Sequence, residues 1–272
     1  MLLKIGAAIV IVVAVLAIAG PMVTSTDPSA QELPLRLVGP SAAHPFGLDE
    51  LGRDVLARML AGARISFFVG IIVVGVSSVV GTLLGAMAGY FGGWIDDLIS
   101  RVVDTLMAFP GLLLAIALVA VLGSSLANVL FALTVIGWVG YARLVRGQVL
   151  RAREFEYVQA ARALGATTPR VLLRHVVPTA IPAIVVQATL GMAGAVISEA
   201  ALSFLGLGVQ PPTPSWGTML SGGRVHLLDA PHLTIFPGLA IALLVLGFNF
   251  LGDGLRDLTD PKQAGRAARV QP

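Results

Sequence analysis

Six long stretches of this sequence are predominantly apolar, and they constrain the fold more than any other feature. Crossing the hydrocarbon core of a membrane takes about 20 mainly apolar residues in a helix. The stretches lie at approximately 5–24, 66–90, 100–122, 127–147, 179–204 and 234–252. Charged residues make up 12% of the 272 residues, against roughly 25% in an ordinary soluble domain. The sequence therefore predicts an all-α integral membrane protein, a single transmembrane domain over residues 1–272.

The basic residues indicate which side of the membrane each connection occupies. They concentrate in the loop after the fourth stretch and in the C-terminal tail. These residues are Arg143, Arg146, Arg151, Arg153, Arg162, Arg170 and Arg174 in the loop, and Arg256, Lys262, Arg266 and Arg269 in the tail. Cytoplasmic loops carry an excess of Lys and Arg, and the four Arg residues of loop 25–64 are offset by five acidic residues. We therefore predict that both ends of the chain lie in the cytoplasm.

The first stretch has some features of a signal peptide. Lys4 precedes an apolar run, and residues 17–19 read Ala-Ile-Ala, as at a cleavage site. The apolar region of a signal peptide is usually shorter, about 7 to 15 residues. Removal would also leave an odd number of spans, so we predict that this stretch is retained as the first transmembrane helix.

Three shorter patterns predict how the membrane helices begin, pack and bend. Apolar residues at helical spacing over 49–60 predict an amphipathic helix on the outer membrane surface, covering the bundle. Gly81, Gly85 and Gly89 repeat every fourth residue and predict a seam where two helices approach closely. Pro110, followed by glycine, interrupts the third stretch and predicts a kink.

A few residues in or near the membrane are candidates for a gate or a subunit interface: Asp104, Glu199 and Trp216. Asp104 lies three residues after Arg101, a spacing that predicts a local ion pair near the inner interface. Glu199 is either a gate element or a hydrogen-bonding residue at a subunit interface, or it has no such role. In that case its carboxyl group is hydrogen-bonded within the chain or snorkels to the membrane surface. Trp216 follows three prolines in the outer loop 206–231, which predicts an ordered lid or re-entrant turn, or a place in the interfacial aromatic belt.

The sequence lacks the signatures of catalysis. A P-loop needs Gly-x-x-x-x-Gly-Lys-Ser/Thr, and the only lysines are Lys4 and Lys262, neither in that setting. There is no cysteine, the four histidines have no partners at metal-ligand spacing, and no nucleophile elbow is present. We predict a non-catalytic chain without its own cofactor or metal, driven by a partner or by an ion gradient.

The polar segment 156–178, inside the cytoplasmic loop of approximately 149–178, predicts a docking surface for another protein. A first short helix ends at Gly165, because glycine takes the left-handed conformation at a helix C-terminus with the least strain. A second begins with Thr168 as its N-cap, followed by proline at the first helical position. Ala160 and Ala161 leave the first helix with little side-chain bulk, so it could enter a cleft on the partner.

This segment resembles the cytoplasmic signature loop of bacterial ABC-importer permeases, which reads EAA, three residues, Gly, nine residues, I-x-L-P. The matching residues are Gln159-Ala160-Ala161, Gly165 and His175-Val176-Val177-Pro178. Gln159, His175 and Val177 depart from the usual Glu, Ile and Leu. A role that needs a carboxylate at position 159 would therefore pass to Glu156.

The resemblance extends from His44 to Pro261, where the chain is similar to the second permease subunit of the dipeptide/oligopeptide/nickel group of ABC importers. The matching stretches are 44–47, 51–54, 88–93, 140–146, 203–208, 214–217 and 249–257. The resemblance implies a six-helix type I importer permease in a bacterial or archaeal plasma membrane. It also implies coupling to ATPase subunits through Glu156, Gln159, Ala160, Ala161, Arg162, Gly165 and Pro178.

The implied partners are a homologous permease subunit, two cytoplasmic ATPase domains that bind ATP and Mg²⁺, and an extracytoplasmic substrate-binding protein. The implied function is import of dipeptides or short oligopeptides, with nickel chelates, glutathione or another small solute as the alternative. Two other classes are a self-contained channel or secondary carrier, and a scaffold that only recruits a cytoplasmic protein. The signature loop argues against the channel or carrier, whereas recruitment of an ATPase without substrate flux would favour the scaffold.

Overall fold

The computed structural model describes residues 1–24 and 26–259, and in these ranges the secondary structure is helical without strands. The helices are α1 (Leu2–Val23), α2 (Val55–Phe91), α3 (Gly93–Met107), α4 (Gly111–Leu122), α5 (Leu126–Ala152), α6 (Glu156–Ala163), α7 (Thr168–Val171), α8 (Val177–Phe204), α9 (Trp216–Gly223) and α10 (His232–Thr259). Short 3-10 turns lie at Leu33–Leu35 and Arg224–His226. A π-helical turn, Leu172–Val176, joins α7 to α8. The predicted basic residues Lys262, Arg266 and Arg269 lie outside the described residues.

In the described part of the chain, five helices are long and apolar enough to cross a membrane: α1, α2, α5, the continuous helix from α7 through α8, and α10. The predicted third span, 100–122, coincides with α3 and α4, which meet at an angle of 88°. The predicted kink is therefore a full break, because Pro110 disfavours helical geometry in the residue before it and is itself the N-cap of α4. Counted as one crossing, α3 and α4 bring the crossings in the described residues to six. An even number places the start of α1 and the end of α10 on the same side of the membrane.

The start of α2 corrects the prediction of a separate surface helix over 49–60. The Asp49 side chain accepts hydrogen bonds from the backbone N–H groups of Leu51 and Arg53, both at 2.9 Å, and holds this segment in a turn. Asp54 then acts as the N-cap and accepts from the Ala57 N–H at 2.9 Å. From there α2 continues without interruption for 37 residues. The apolar residues at the end of the predicted surface helix belong to the first turns of this span.

The bundle is held together chiefly where α2 packs along α5. A Cβ atom at Gly81 would lie 2.5 Å from the carbonyl oxygen of Trp138, and one at Gly85 would lie 2.9 Å from the Cα of Ala142. Only residues without a side chain permit this backbone-to-backbone distance. The predicted glycine seam is thus confirmed. Elsewhere α10 packs against α1 and α8, which completes the bundle.

Candidate functional site

The cytoplasmic end of the bundle carries the predicted docking segment, and its first helix ends as expected. Gly165 has φ of +83°. Its N–H donates to the Arg162 carbonyl at 2.9 Å, and the Ala166 N–H donates to the Ala161 carbonyl at 3.1 Å. This pair of hydrogen bonds is a Schellman motif, which satisfies carbonyls at the helix end. Gly165 therefore sets the angle at which the chain leaves α6.

The second helix differs from the prediction in two respects. Its N-cap is Thr167, one residue earlier than predicted, and the helix does not stop before the membrane. It passes through the π-turn into α8, so Pro178 lies in the first turn of α8 and does not close a loop. Pro178 has no N–H to donate to the preceding turn. The residue before it, Val177, donates its N–H to the Leu172 carbonyl, five residues back, in the wider π geometry. The second half of the docking segment and the membrane helix are consequently one continuous helix.

Buried valines fix the docking segment to the bundle. Val158 of α6, Val171 of α7 and Val176 of the π-turn are fully buried, and they pack in one cluster with Val145 and Val149 of α5. β-Branched side chains have few rotamers, and a close-packed apolar cluster transmits displacement with little compliance. The docking segment is therefore packed tightly against α5, in addition to its connection with α8.

Polar contacts reinforce this attachment. The Arg162 guanidinium lies over the ring of Tyr90 at 4.9 Å from the ring centroid, a favourable cation–π arrangement. Tyr157 donates its hydroxyl hydrogen to the His175 carbonyl at 3.2 Å. Arg153 donates to the Gly89 carbonyl at 3.2 Å. The first two contacts tie α6 to the cytoplasmic end of α2 and to the π-turn, and the third ties the end of α5 to α2.

The opposite face of α6 is free for a partner in this single chain. Glu156, Gln159 and Ala160 are exposed, and Ala161 is half-buried; Arg162 is also exposed, although its guanidinium lies over Tyr90. The Gln159 amide donates to the Glu154 carbonyl of its own loop at 3.2 Å. The Gln159 side chain is therefore engaged with its own loop. Glu156 is the residue of α6 that presents a carboxylate on the exposed side.

One residue of this face escaped the sequence reasoning. Leu164, between α6 and Gly165, has 88% of its surface exposed. Its side chain lies directly beside the exposed positions of α6. The sequence signal was available, since Leu164 is an apolar residue directly before the glycine that ends a polar helix.

The predicted ion pair between Asp104 and Arg101 is wrong. Both side chains are exposed, and no ion pair joins them in the described part of the chain. The ion pair in this region links other residues: Arg146 of α5 donates two hydrogen bonds to Asp96 of α3, at 2.5 and 2.7 Å. This bidentate geometry holds α3 against α5 on the cytoplasmic side of the break.

Glu199 is fully buried within the chain. Its carboxylate accepts hydrogen bonds from the hydroxyls of Ser66, at 3.2 Å, and Ser203, at 2.7 Å. The carboxylate is thus hydrogen-bonded within the chain, and snorkelling is excluded. Glu199 joins the outer parts of α2 and α8 through Ser66.

Trp216 also lies inside the protein, with 3% of its surface exposed. Its indole N–H donates to the Met59 carbonyl of α2 at 3.0 Å, so the interpretation as an aromatic-belt residue is wrong. Trp216 begins α9, whose N-terminus has a capping box formed by Ser215 and Thr218. The outer loop is therefore ordered, as predicted, and is anchored on the start of α2.

Comparison with known families identifies the fold. Residues 81–265 match the family described as "Binding-protein-dependent transport system inner membrane component". The chain belongs to this family. The matched region includes the glycine seam, the broken third span, the docking segment, α8 and α10.

Individual relatives agree with this assignment. The chain is 52% identical over 227 residues to "Glutathione transport system permease protein GsiD" of Escherichia coli O6:K15:H31 (strain 536 / UPEC) and of Shigella boydii serotype 4 (strain Sb227). The matched region covers 84% of this chain and 75% of each relative. Among solved structures, an inward-facing MetNI methionine ABC transporter (CY5 native crystal form) aligns with a TM-score of 0.59 at 19% identity, covering 74% of this chain and 96% of that chain. At this identity the structural match establishes the fold alone.

Membership of the family settles the class of the protein. The chain is a multi-pass inner-membrane permease subunit of an ABC importer of the binding-protein-dependent type. It is a non-catalytic subunit, because ATP hydrolysis in such systems belongs to a separate subunit. The resemblance inferred from the sequence motifs is thereby confirmed.

Proposed function

We propose that this subunit forms half of the translocation pathway of an importer for short peptides, and that segment 156–178 couples it to cytoplasmic ATPase subunits. The observation that carries the proposal is the construction of this segment. One side presents the small side chain of Ala160, with Leu164 exposed beside it. The other side is fixed to the bundle by buried valines. A docking surface with a rigid base can transmit a partner's movement to the bundle.

Coupling would follow from the two connections of the segment. Closure of the ATPase pair would displace α6 through contacts with Glu156, Gln159, Ala160, Ala161 and Arg162. Gly165 would keep the two halves of the segment in register. The movement would then reach α8 through the continuous helix that contains Pro178, and α5 through the valine cluster. The bundle would alternate between inward-facing and outward-facing states.

The complex would contain a homologous permease subunit, two ATPase domains that bind ATP and Mg²⁺, and an extracytoplasmic substrate-binding protein. The ordered outer loops, 26–54 and 205–231, form the surface on which the loaded binding protein would dock. Family membership supports this composition, since binding-protein-dependent transport requires a binding protein and an energy-supplying subunit.

The substrate class is supported by the relatives. Two relatives at 52% identity are named as glutathione permeases, and glutathione is a tripeptide. We therefore place short peptides first, with glutathione as the first single solute to test. Nickel chelates and other small solutes are the alternative within the same mechanism.

The deciding experiment measures ATP hydrolysis and uptake by the complete complex in proteoliposomes, with its binding protein present. A mixed dipeptide pool, glutathione and a nickel chelate are supplied separately, and Gly165→Val serves as the uncoupled control. Peptide-stimulated hydrolysis that the control loses would support the proposal. Stimulation only by the nickel chelate would change the cargo, and binding of the ATPases without any flux would favour a scaffold.

A further inference from the structure

A cavity of about 240 Å³ lies in the middle of the bundle, among α2, α4, α5 and α8. It is open to one side of the chain, and four of its lining positions are glycine: Gly111, Gly137, Gly191 and Gly194. A Cβ at Gly191 would lie 2.7 Å from the Tyr141 hydroxyl oxygen, whereas a Cβ at Gly194 would meet nothing within 4 Å. The space therefore exists partly because these positions lack side chains. It is large enough to hold several water molecules.

Four polar side chains line this cavity: Ser77, Tyr141 and Gln187 near the middle of their helices, and Ser198 in the outer part of α8. Gln187 and Ser198 are half-buried, and their side chains make no hydrogen bond to any residue in the described ranges. The Gln187 amide nitrogen lies 3.9 Å from the position of a Cβ at Gly140, on the α5 side. An amide facing hydrocarbon without a partner is unfavourable by several kcal/mol. Polar residues at this depth usually face water or a transported molecule.

The lining also limits the chemistry of the ligand. Among the described residues, no charged side chain lines the cavity. The Ser77 and Tyr141 hydroxyls already donate to the carbonyls of Thr134, at 3.5 Å, and Gln187, at 3.4 Å. The Gln187 carboxamide and the Ser198 hydroxyl can still both donate and accept, which matches the N–H and C=O groups common to every peptide. A site without charge would not retain substrates according to their side chains, and weak binding is what passage requires.

We propose that this cavity is a transient binding site on the translocation pathway, in which Gln187 and Ser198 hydrogen-bond the backbone amide groups of the passing peptide. This inference rests on the proposed import of short peptides. It assigns to α8 a substrate-contacting stripe, Gln187, Gly194 and Ser198, in addition to its connection with the docking segment.

The first test fills the cavity without disturbing the fold. Gly194→Leu places a side chain in open space, and leucine favours a helix more than glycine does. The matched control is Gly75→Leu on α2, where a Cβ also meets nothing within 4 Å but the residue lies outside the cavity lining. We expect Gly194→Leu to reduce peptide uptake at least tenfold with normal co-purification of the complex, while Gly75→Leu transports normally. Equal uptake by both variants would overturn the proposal.

The second test examines the polar contacts. Gln187→Leu should reduce uptake at least tenfold, Gln187→Asn should restore part of it, and binding of the ATPase subunits should be unchanged in both. Because the chain has no cysteine, a single Ser198→Cys can also be probed with a charged, membrane-impermeant thiol reagent. It should react at least tenfold faster than Val15→Cys, whose side chain is 56% exposed on α1.

The outcomes separate this inference from the proposed function. Labelling of Ser198→Cys at the slow rate of Val15→Cys would show a dry cavity and overturn the site. Wild-type uptake by Gln187→Leu would overturn the role of the carboxamide. Rapid labelling in a wild-type complex that imports no peptide would support an aqueous pathway at this cavity and overturn the peptide as its ligand.

Discussion

Replacement of Gly165 is the most direct test of the docking segment. Its φ of +83° lies in the left-handed region, and no atom lies within 4 Å of the place that a Cβ would occupy, so a side chain would add backbone strain but no steric clash. That strain is about 1–2 kcal/mol for an ordinary L-residue. Since 1.4 kcal/mol is a factor of ten, the docking-competent conformation would lose about 5- to 30-fold in population relative to alternatives.

The assay is ATP-driven uptake by the reconstituted complex across a series at this position. Asparagine tolerates the left-handed region, alanine less so, and β-branched valine least. We therefore expect uptake to decrease in the order Gly165, Gly165→Asn, Gly165→Ala, Gly165→Val, while membrane insertion stays normal because the strain lies outside the bilayer. Normal uptake by Gly165→Val, or equal losses for all three variants, would refute the reasoning.

Three further predictions concern the docking face and the packing of the bundle. Ala160→Glu should reduce co-purification of the ATPase subunits at least fivefold, because it adds bulk and an unpaired charge to an exposed contact face; wild-type recovery would contradict this. Gly85→Val should lower the thermal stability of the detergent-solubilised complex, since its Cβ would lie 2.9 Å from the Ala142 Cα and overpacking costs about 1–3 kcal/mol. Trp216→Phe should cost about 1 kcal/mol through loss of the indole hydrogen bond, which is read as a lower Tm than that of the wild type.

The membrane helices were predictable because their signal is local. An apolar run long enough to cross a bilayer has few alternatives to a helix, and the glycine seam of α2 follows from spacing within one helix. Gly165 was equally readable, because a glycine that ends a polar helix is a local pattern. The predicted members of the docking face, from Glu156 to Arg162, accordingly lie together in the structure.

The features that escaped prediction depend on partners elsewhere in the chain. Trp216 is buried because it reaches the Met59 carbonyl, 157 residues away. Hydrophobic spacing over 49–60 could not show that Asp49 folds its side chain back on the local backbone and delays the start of α2. The polar lining around Gln187 comes from helices that are adjacent only in the folded bundle.

The uninterrupted helix from Thr168 to Phe204 has a mechanical consequence. Its 37 residues extend for about 55 Å, whereas the hydrocarbon core is about 30 Å thick. In the proposed complex the helix would act as a lever, with its short arm beside the ATPase subunits and its long arm at the outer mouth. With a pivot about 15 Å from the cytoplasmic end, a tilt of about 10° would move that end by roughly 3 Å and the far end by roughly 7 Å. A small stroke in the nucleotide-binding subunits would therefore be amplified by the length of a single helix.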